Sequence, residues 1–162
     1  MRIGHGYDIH RFEDKITKKQ IILGGVTIPY ERGIEAHSDG DVVIHAICDA
    51  LLGAAALGDI GQHFPESSPA FANADSRMLL ATVLNLIEEK QYRVGNIDVT
   101  IIAQVPKIQP HVSAMREILA QDLKISMNDI NIKATTHEGL DAIGNKQGLA
   151  VHAIALLFSC SL

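Results

Sequence analysis

From Asp41 to Leu57 the chain reads DVVIHAICDALLGAAAL, apolar at nearly every position, with Gly58 as a stop. A helix that is apolar almost all round is a buried helix, and Ser38 and Asp39 stand before it as capping candidates. Burial this complete suggests that part of it packs against other subunits. Asp41, His45 and Asp49 interrupt it at i, i+4 and i+8, a polar stripe on one face of a helix.

The surrounding pattern alternates strands and helices. Residues 2–10 alternate, with Ile3, Tyr7 and Ile9 on one side and Gly4, Gly6, Asp8 and His10 on the other, which predicts a first strand. Ile21 to Leu23 and Val26 to Ile28, hinged by Gly24 and Gly25, read as a second stretch of strand, a hairpin or a bend. After a polar loop from Asp59 to Ala74, Asp75 opens a helix with Met78, Leu79, Val83, Leu86 and Ile87 on one face. Strands are predicted over 94–103, 131–136 and 150–160, and a helix over 110–123. The expected fold is α+β, a single domain over residues 1–162 with a mixed β-sheet and helices on one face.

The composition excludes several classes of function. With 14 Lys+Arg against 19 Asp+Glu and a net charge of -5, the chain has no basic stripe for nucleic-acid phosphates. The absence of Trp, with 3 Tyr and 4 Phe, leaves few stacking platforms for bases. The apolar stretches from Ala46 to Gly58 and from Leu149 to Leu162 are too short and interrupted to span a membrane. The N-terminus has neither a signal nor a transit pattern, so a bacterial cytoplasmic protein is expected. Cys48 and Cys160 form no metal or disulfide spacing and read as reduced packing residues.

Asp8 and His10, two apart in a strand, leave the same face, and Gly4 and Gly6 leave that face open. Such a pair is common without a metal, and a third ligand is needed. His45 supplies one, although Asp41 also reads as a first-turn acid and His45 as a hydrogen-bonded core histidine. One carboxylate and two imidazoles would leave zinc an open position, as in catalytic rather than structural sites. Asp49, one turn on, is a candidate to fix the His45 imidazole from outside.

Three further segments carry candidate groups. Asp59, Ile60 and Gly61, followed by Phe64, Pro65, Glu66, Ser67 and Ser68, suit a polyhydroxylated ligand but also read as an ordinary helix-to-helix connection. Ala103, Gln104, Val105, Pro106, Lys107 and Ile108 offer backbone groups and one cation to a nucleotide. Thr135, Thr136, His137 and Glu138 end a strand with groups fit for phosphate oxygens and a hard cation, or for a plain strand cap. His5, His63, His111 and His152 are assigned structural or surface roles.

Taken together, the blocks MRIGHGYDIHRF, AHSDGDVVIHAICDALLGAAALGDIGQHFP, DVTIIAQVPKI and KATTHEGL closely resemble the 2-C-methyl-D-erythritol 2,4-cyclodiphosphate synthase family over nearly the whole chain. The resemblance implies a homotrimeric enzyme of non-mevalonate isoprenoid synthesis. Its substrate would be 4-diphosphocytidyl-2-C-methyl-D-erythritol 2-phosphate, cyclised by attack of the 2-phosphate on the β-phosphorus with release of CMP. Asp8, His10 and His45 would hold Zn²⁺, and Glu138 a second cation, Mg²⁺ or Mn²⁺. His37 and Thr136 would orient and stabilise the transferring phosphates, while Ser38, Asp59, Gly61 and the segment Phe64 to Ser68 would wall the erythritol.

The same resemblance assigns the cytidine and diphosphate to Ala103 through Gln109 with Thr135. It places each active site between adjacent subunits and an isoprenoid-diphosphate cavity on the threefold axis. Ala142 and Asn145, where the family commonly has an aromatic residue and an arginine near the substrate phosphate, and His137 depart from the family pattern. Two rival readings use the same residues: a zinc hydrolase with metal-bound water as nucleophile, and a non-catalytic trimeric module that binds metal or an isoprenoid.

Overall fold

The computed structural model describes residues 1–14, 20–65 and 74–160. In chain order these form β1 (Arg2–Arg11), β2 (Gln20–Leu23), β3 (Val26–Pro29), α1 (Val42–Ala55), α2 (Ile60–His63), α3 (Ser76–Glu89), β4 (Tyr92–Ile102), α4 (Val112–Asp122), β5 (Ile130–Thr135), α5 (Asp141–Gly144) and β6 (Gly148–Ser159). The main sheet runs β1-β6-β4-β5, with β4 and β5 parallel and the other pairs antiparallel. The mixed α+β arrangement is therefore present, with α1, α3 and α4 packed on the sheet.

β2 and β3 pair as a hairpin, which decides between the two readings of that segment. Gly24 and Gly25 both have positive φ, 57° and 75°, as a two-residue turn matched to strand twist requires. Their N–H groups donate to the Asp41 carboxylate at 2.8 and 2.7 Å, and Ile44 N–H donates to it at 3.0 Å. Asp41, rather than Ser38 or Asp39, is thus the cap of α1. The helix ends on Ala56 in the left-handed region, two residues before Gly58.

Eleven of the fourteen residues of α1 are buried within the chain itself, between β1 and β6 on one side and α3 on the other. Neighbouring subunits are not needed to cover this helix, contrary to the expectation from its composition. Gly4 and Gly6 do not leave an open face either. They let the helix approach so closely that a methyl group on either would stand 1.9 Å from a carbonyl oxygen of α1, that of Ala50 or Ala46. The other face of β1 is the exposed one, carrying Ile3, Tyr7 and Ile9 beside Ile154 of β6.

Three smaller expectations also change. On α3 the buried stripe is Leu79, Leu80, Val83, Leu84 and Ile87, while Met78 points outward, because the sheet and α1 meet the side of the helix centred on Leu80. Cys48 is buried but Cys160, at the end of β6, is exposed. The stretch after Asp59 contains a short helix, capped by the Asp59 carboxylate accepting the Gln62 N–H at 3.0 Å.

Candidate metal centre and its cavity

Asp8 and His10 leave β1 on the face that meets α1, and His45 leaves α1 toward them. Their ligand atoms all lie within 4.8 Å of one another. Asp8 Oδ2 stands 3.3 Å from His10 Nε2 and 3.2 Å from His45 Nδ1. His10 Nδ1 lies 2.9 Å from the Glu35 carbonyl oxygen, which can only accept, so that nitrogen carries the hydrogen and Nε2 turns its lone pair to the cluster. Burial raises the Asp8 carboxyl, but the His10 and His45 imidazoles beside it outweigh that and hold the group below the usual carboxylate range. An ionised carboxylate and two converging imidazoles suit a divalent cation.

The cluster opens on a cavity of about 160 Å³. His37, Ser38, Ile60, Gly61 and Phe64 line it together with Asp8, His10 and His45. Ala36 and Leu79 also line it and carry no chemical signal in the sequence. Glu66, Ser67 and Ser68 lie outside the described residues, and Pro65 is exposed at their edge.

Asp49 does not hold His45. Its carboxylate accepts the Ile60 N–H at 2.7 Å, because the start of α2 folds over that turn of α1. Burial raises its carboxyl, opposed by that hydrogen bond, with the charges of Asp59 and Asp8 adding to the rise. His45 Nε2 instead meets Ser76 Oγ at 2.9 Å and Ser38 Oγ at 3.3 Å. Ser76 was invisible in the sequence, where it is one more polar residue in the first turn of a helix.

The remaining candidates gather elsewhere. Ile9, Ala150, Ile102 and Thr135 form one row across β1, β6, β4 and β5. Three strand spacings, roughly 14 Å, therefore separate the metal cluster from Thr135 at the same end of the sheet. The segment from Ala103 to Gln109 folds beside Thr135, whose carbonyl accepts the Ala103 N–H at 3.0 Å, and the Val105–Pro106 peptide is cis. Here Lys107 is exposed and Ile108 is buried. Thr136 Oγ1 donates to Glu138 Oε1 at 2.6 Å.

His137 Nδ1 lies 2.7 Å from Asp141 Oδ2, at the start of α5. Ala142 sits on that helix and Asn145 just after it, where its amide donates to the Asp141 carbonyl at 2.6 Å. None of these residues lines the cavity at the metal cluster.

Comparison with known proteins matches the sequence model of the YgbB family to residues 1–158. The 2-C-methyl-D-erythritol 2,4-cyclodiphosphate synthase of Francisella philomiragia is 57% identical over 156 residues, 96% of this chain and 97% of its own. That of Thioalkalivibrio sulfidiphilus is 57% identical over 159 residues, 98% of each chain. Among solved structures, the bifunctional IspDF from Campylobacter jejuni superposes with a TM-score of 0.91 at 40% identity. The match covers 98% of this chain, which spans only 43% of that protein. A Plasmodium falciparum IspF CDP complex gives 0.85 at 37% identity, covering 99% and 97% of the two chains.

Proposed function

The chain belongs to the YgbB family, and from that premise we propose how its own residues serve the reaction its relatives are named for. It is an enzyme of isoprenoid precursor synthesis that converts 4-diphosphocytidyl-2-C-methyl-D-erythritol 2-phosphate into 2-C-methyl-D-erythritol 2,4-cyclodiphosphate and CMP. The observation that carries the assignment of roles is the convergence of Asp8, His10 and His45 on one point in the wall of a cavity.

Asp8, His10 and His45 hold Zn²⁺, and Glu138, braced by Thr136, holds Mg²⁺ or Mn²⁺ on the diphosphate. When bound, the two cations withdraw charge from the β-phosphoryl group, which lowers the barrier to in-line displacement. His37 and Thr136 orient the phosphates, and Ser38, Asp59, Ile60 and Gly61 hold the erythritol, continued by Phe64, Pro65, Glu66, Ser67 and Ser68. The segment from Ala103 to Gln109 with Thr135 takes the cytidine diphosphate, and His137, Ala142 and Asn145 border it. A phosphate nucleophile needs no proton removed, so the residues act by holding the reacting groups in line.

The functional form is a homotrimer with each site between two subunits. A cavity of about 160 Å³ is smaller than the roughly 300–1,000 Å³ of pockets that enclose a small-molecule ligand. The second half of the site stands three strands away on the same chain, so a neighbouring subunit can supply it. The exposed apolar face of Ile3, Tyr7, Ile9 and Ile154 gives the subunits a surface to share. An isoprenoid diphosphate would occupy the cavity on the trimer axis. The 162 residues act as one domain in the bacterial cytoplasm, and no helix among the described residues is long and apolar enough to cross a membrane.

The test is phosphorus NMR of the metal-replete protein with the diphosphocytidyl substrate. A cyclic diphosphate appearing in step with CMP is the expected result. CMP with a linear phosphate product would favour the zinc hydrolase.

A further inference from the structure

Ser76 is completely buried, although a serine in the first turn of a helix normally faces water. Its hydroxyl has one proton to donate, and that proton goes to Asp39 Oδ1 in a short hydrogen bond. The same carboxylate accepts the Ser76 N–H at 3.0 Å and the Asp41 N–H at 3.1 Å, so it acts as an acceptor at both oxygens. Toward His45 Nε2, 2.9 Å away, the Ser76 oxygen is then left only as an acceptor. Nδ1 faces a second acceptor, Asp8 Oδ2, at 3.2 Å, and a neutral imidazole has one hydrogen to give; with it on Nε2 toward Ser76, the Nδ1 lone pair and the carboxylate face one point, where a cation would sit between them.

We propose that Ser76, backed by Asp39, is a positioning residue that locks His45 in its Nε2–H tautomer and so prepares Nδ1 for the divalent cation. It does for His45 what the Glu35 carbonyl does for His10, by a side-chain relay through a different helix. Ser38 is a weaker partner of the same nitrogen, at 3.3 Å, and its hydroxyl also accepts the Gly40 N–H. The relay ties the loop that carries His37 and Ser38 to the start of α3, because Asp39 belongs to that loop and its N–H donates to the Ala74 carbonyl at 3.2 Å. The proposal rests on the metal reading of Asp8, His10 and His45.

The bland alternative makes Asp39 only a cap for α3 through the backbone of Ser76. Ser76→Ala separates the two, since it keeps the N–H that Asp39 accepts and removes the hydroxyl alone. Long-range ¹H–¹⁵N correlation on metal-free, histidine-labelled protein should find His45 protonated on Nε2 in the wild type and without that preference in Ser76→Ala. Zinc affinity by chelator competition should fall about 10- to 100-fold in Ser76→Ala and in Asp39→Asn.

A wild-type His45 protonated on Nδ1 would overturn the relay even if neither variant folds. So would a Ser76→Ala protein with the wild-type tautomer and zinc affinity within about twofold of wild type. His45→Ala tells the two layers apart. If it keeps zinc at the wild-type affinity, the metal reading beneath the proposal fails; if it loses zinc while Ser76→Ala does not, only the relay fails.

Discussion

Gly6 of β1 meets Ala46 of α1 so closely that a methyl group on the glycine would stand 1.9 Å from the Ala46 carbonyl oxygen. No rotamer change relieves a clash with backbone, so strand and helix would have to separate. Their separation would also move Asp8 and His10 from His45. Gly6→Ala should cost at least about 3 kcal/mol, the upper range for overpacking, and weaken zinc binding with it. Gly53→Ala is the control, because a methyl group there finds only the His5 carbonyl oxygen at 3.9 Å. That change, inside a helix, should stabilise by about 0.5–1 kcal/mol. Thermal unfolding of the two variants checks both signs.

His45→Ala should abolish zinc retention and activity together. Glu138→Ala should keep zinc at the wild-type stoichiometry, since Glu138 is not among the three groups that converge, and slow turnover by roughly 100- to 1,000-fold, the worth of one contact to developing charge. Metal analysis after gel filtration, set beside the phosphorus NMR rate, separates the two. A fully active, zinc-free His45→Ala protein would remove the metal assignment.

Asp41 gives a pH dependence of defined sign. Burial pushes its carboxyl up to about 6, against the pull of the Gly25, Ile44 and Gly24 N–H groups and with the charge of Asp39 adding to the rise. A folded value above the ordinary one of about 3.9 means that the folded state holds the proton more tightly. The contribution is then fully present below about pH 4 and is lost as the pH rises through about 6. Measured against Asp41→Asn by chemical denaturation, wild-type stability should fall by roughly 3 kcal/mol between about pH 4 and about pH 7. A flat difference would mean that the three backbone donors keep Asp41 ionised throughout.

Ile154→Asp tests the shared face. Ile154 is 40% exposed on the side of the sheet away from α1, opposite His5 and Asp98, neither of which is assigned to the reaction. Wild-type protein should sediment as a trimer and the variant as a smaller species, with activity falling in parallel. A monomer that retained full activity would show that one chain completes the site alone.

Much of the architecture could be read from local patterns. The alternation in β1, the breakers at Gly24 and Gly25 and the continuous apolar run of α1 each report on neighbours along the chain. The short helix α5 escaped, because four residues carry too little periodicity to stand out from a turn. Met78 faces outward although the apolar pattern includes it, because a residue at the edge of a stripe can face either way and the partner surface decides.

The cluster of Asp8, His10 and His45 was legible for a chemical reason: their residue types can ligate a cation, and their spacing aligned them on one face of a strand and one face of a helix. Its supports were not. Asp49 has the helical spacing to reach His45, yet the N-terminus of α2 takes its carboxylate. Ser76 is 31 residues from His45 and has nothing in its own segment to mark it.

By itself, then, the sequence determined which segments form the strands and the longer helices, which side chains could ligate a cation and which reaction family they resemble, since each depends on residue type and short spacing. Tertiary structure alone decided how close α1 comes to β1, which groups His10, His45 and Asp49 meet, and that Asp8, His10 and His45 stand three strands from Thr135. Those depend on contacts between distant segments, and a hydrogen bond goes to whichever donor or acceptor the packed chain brings within reach.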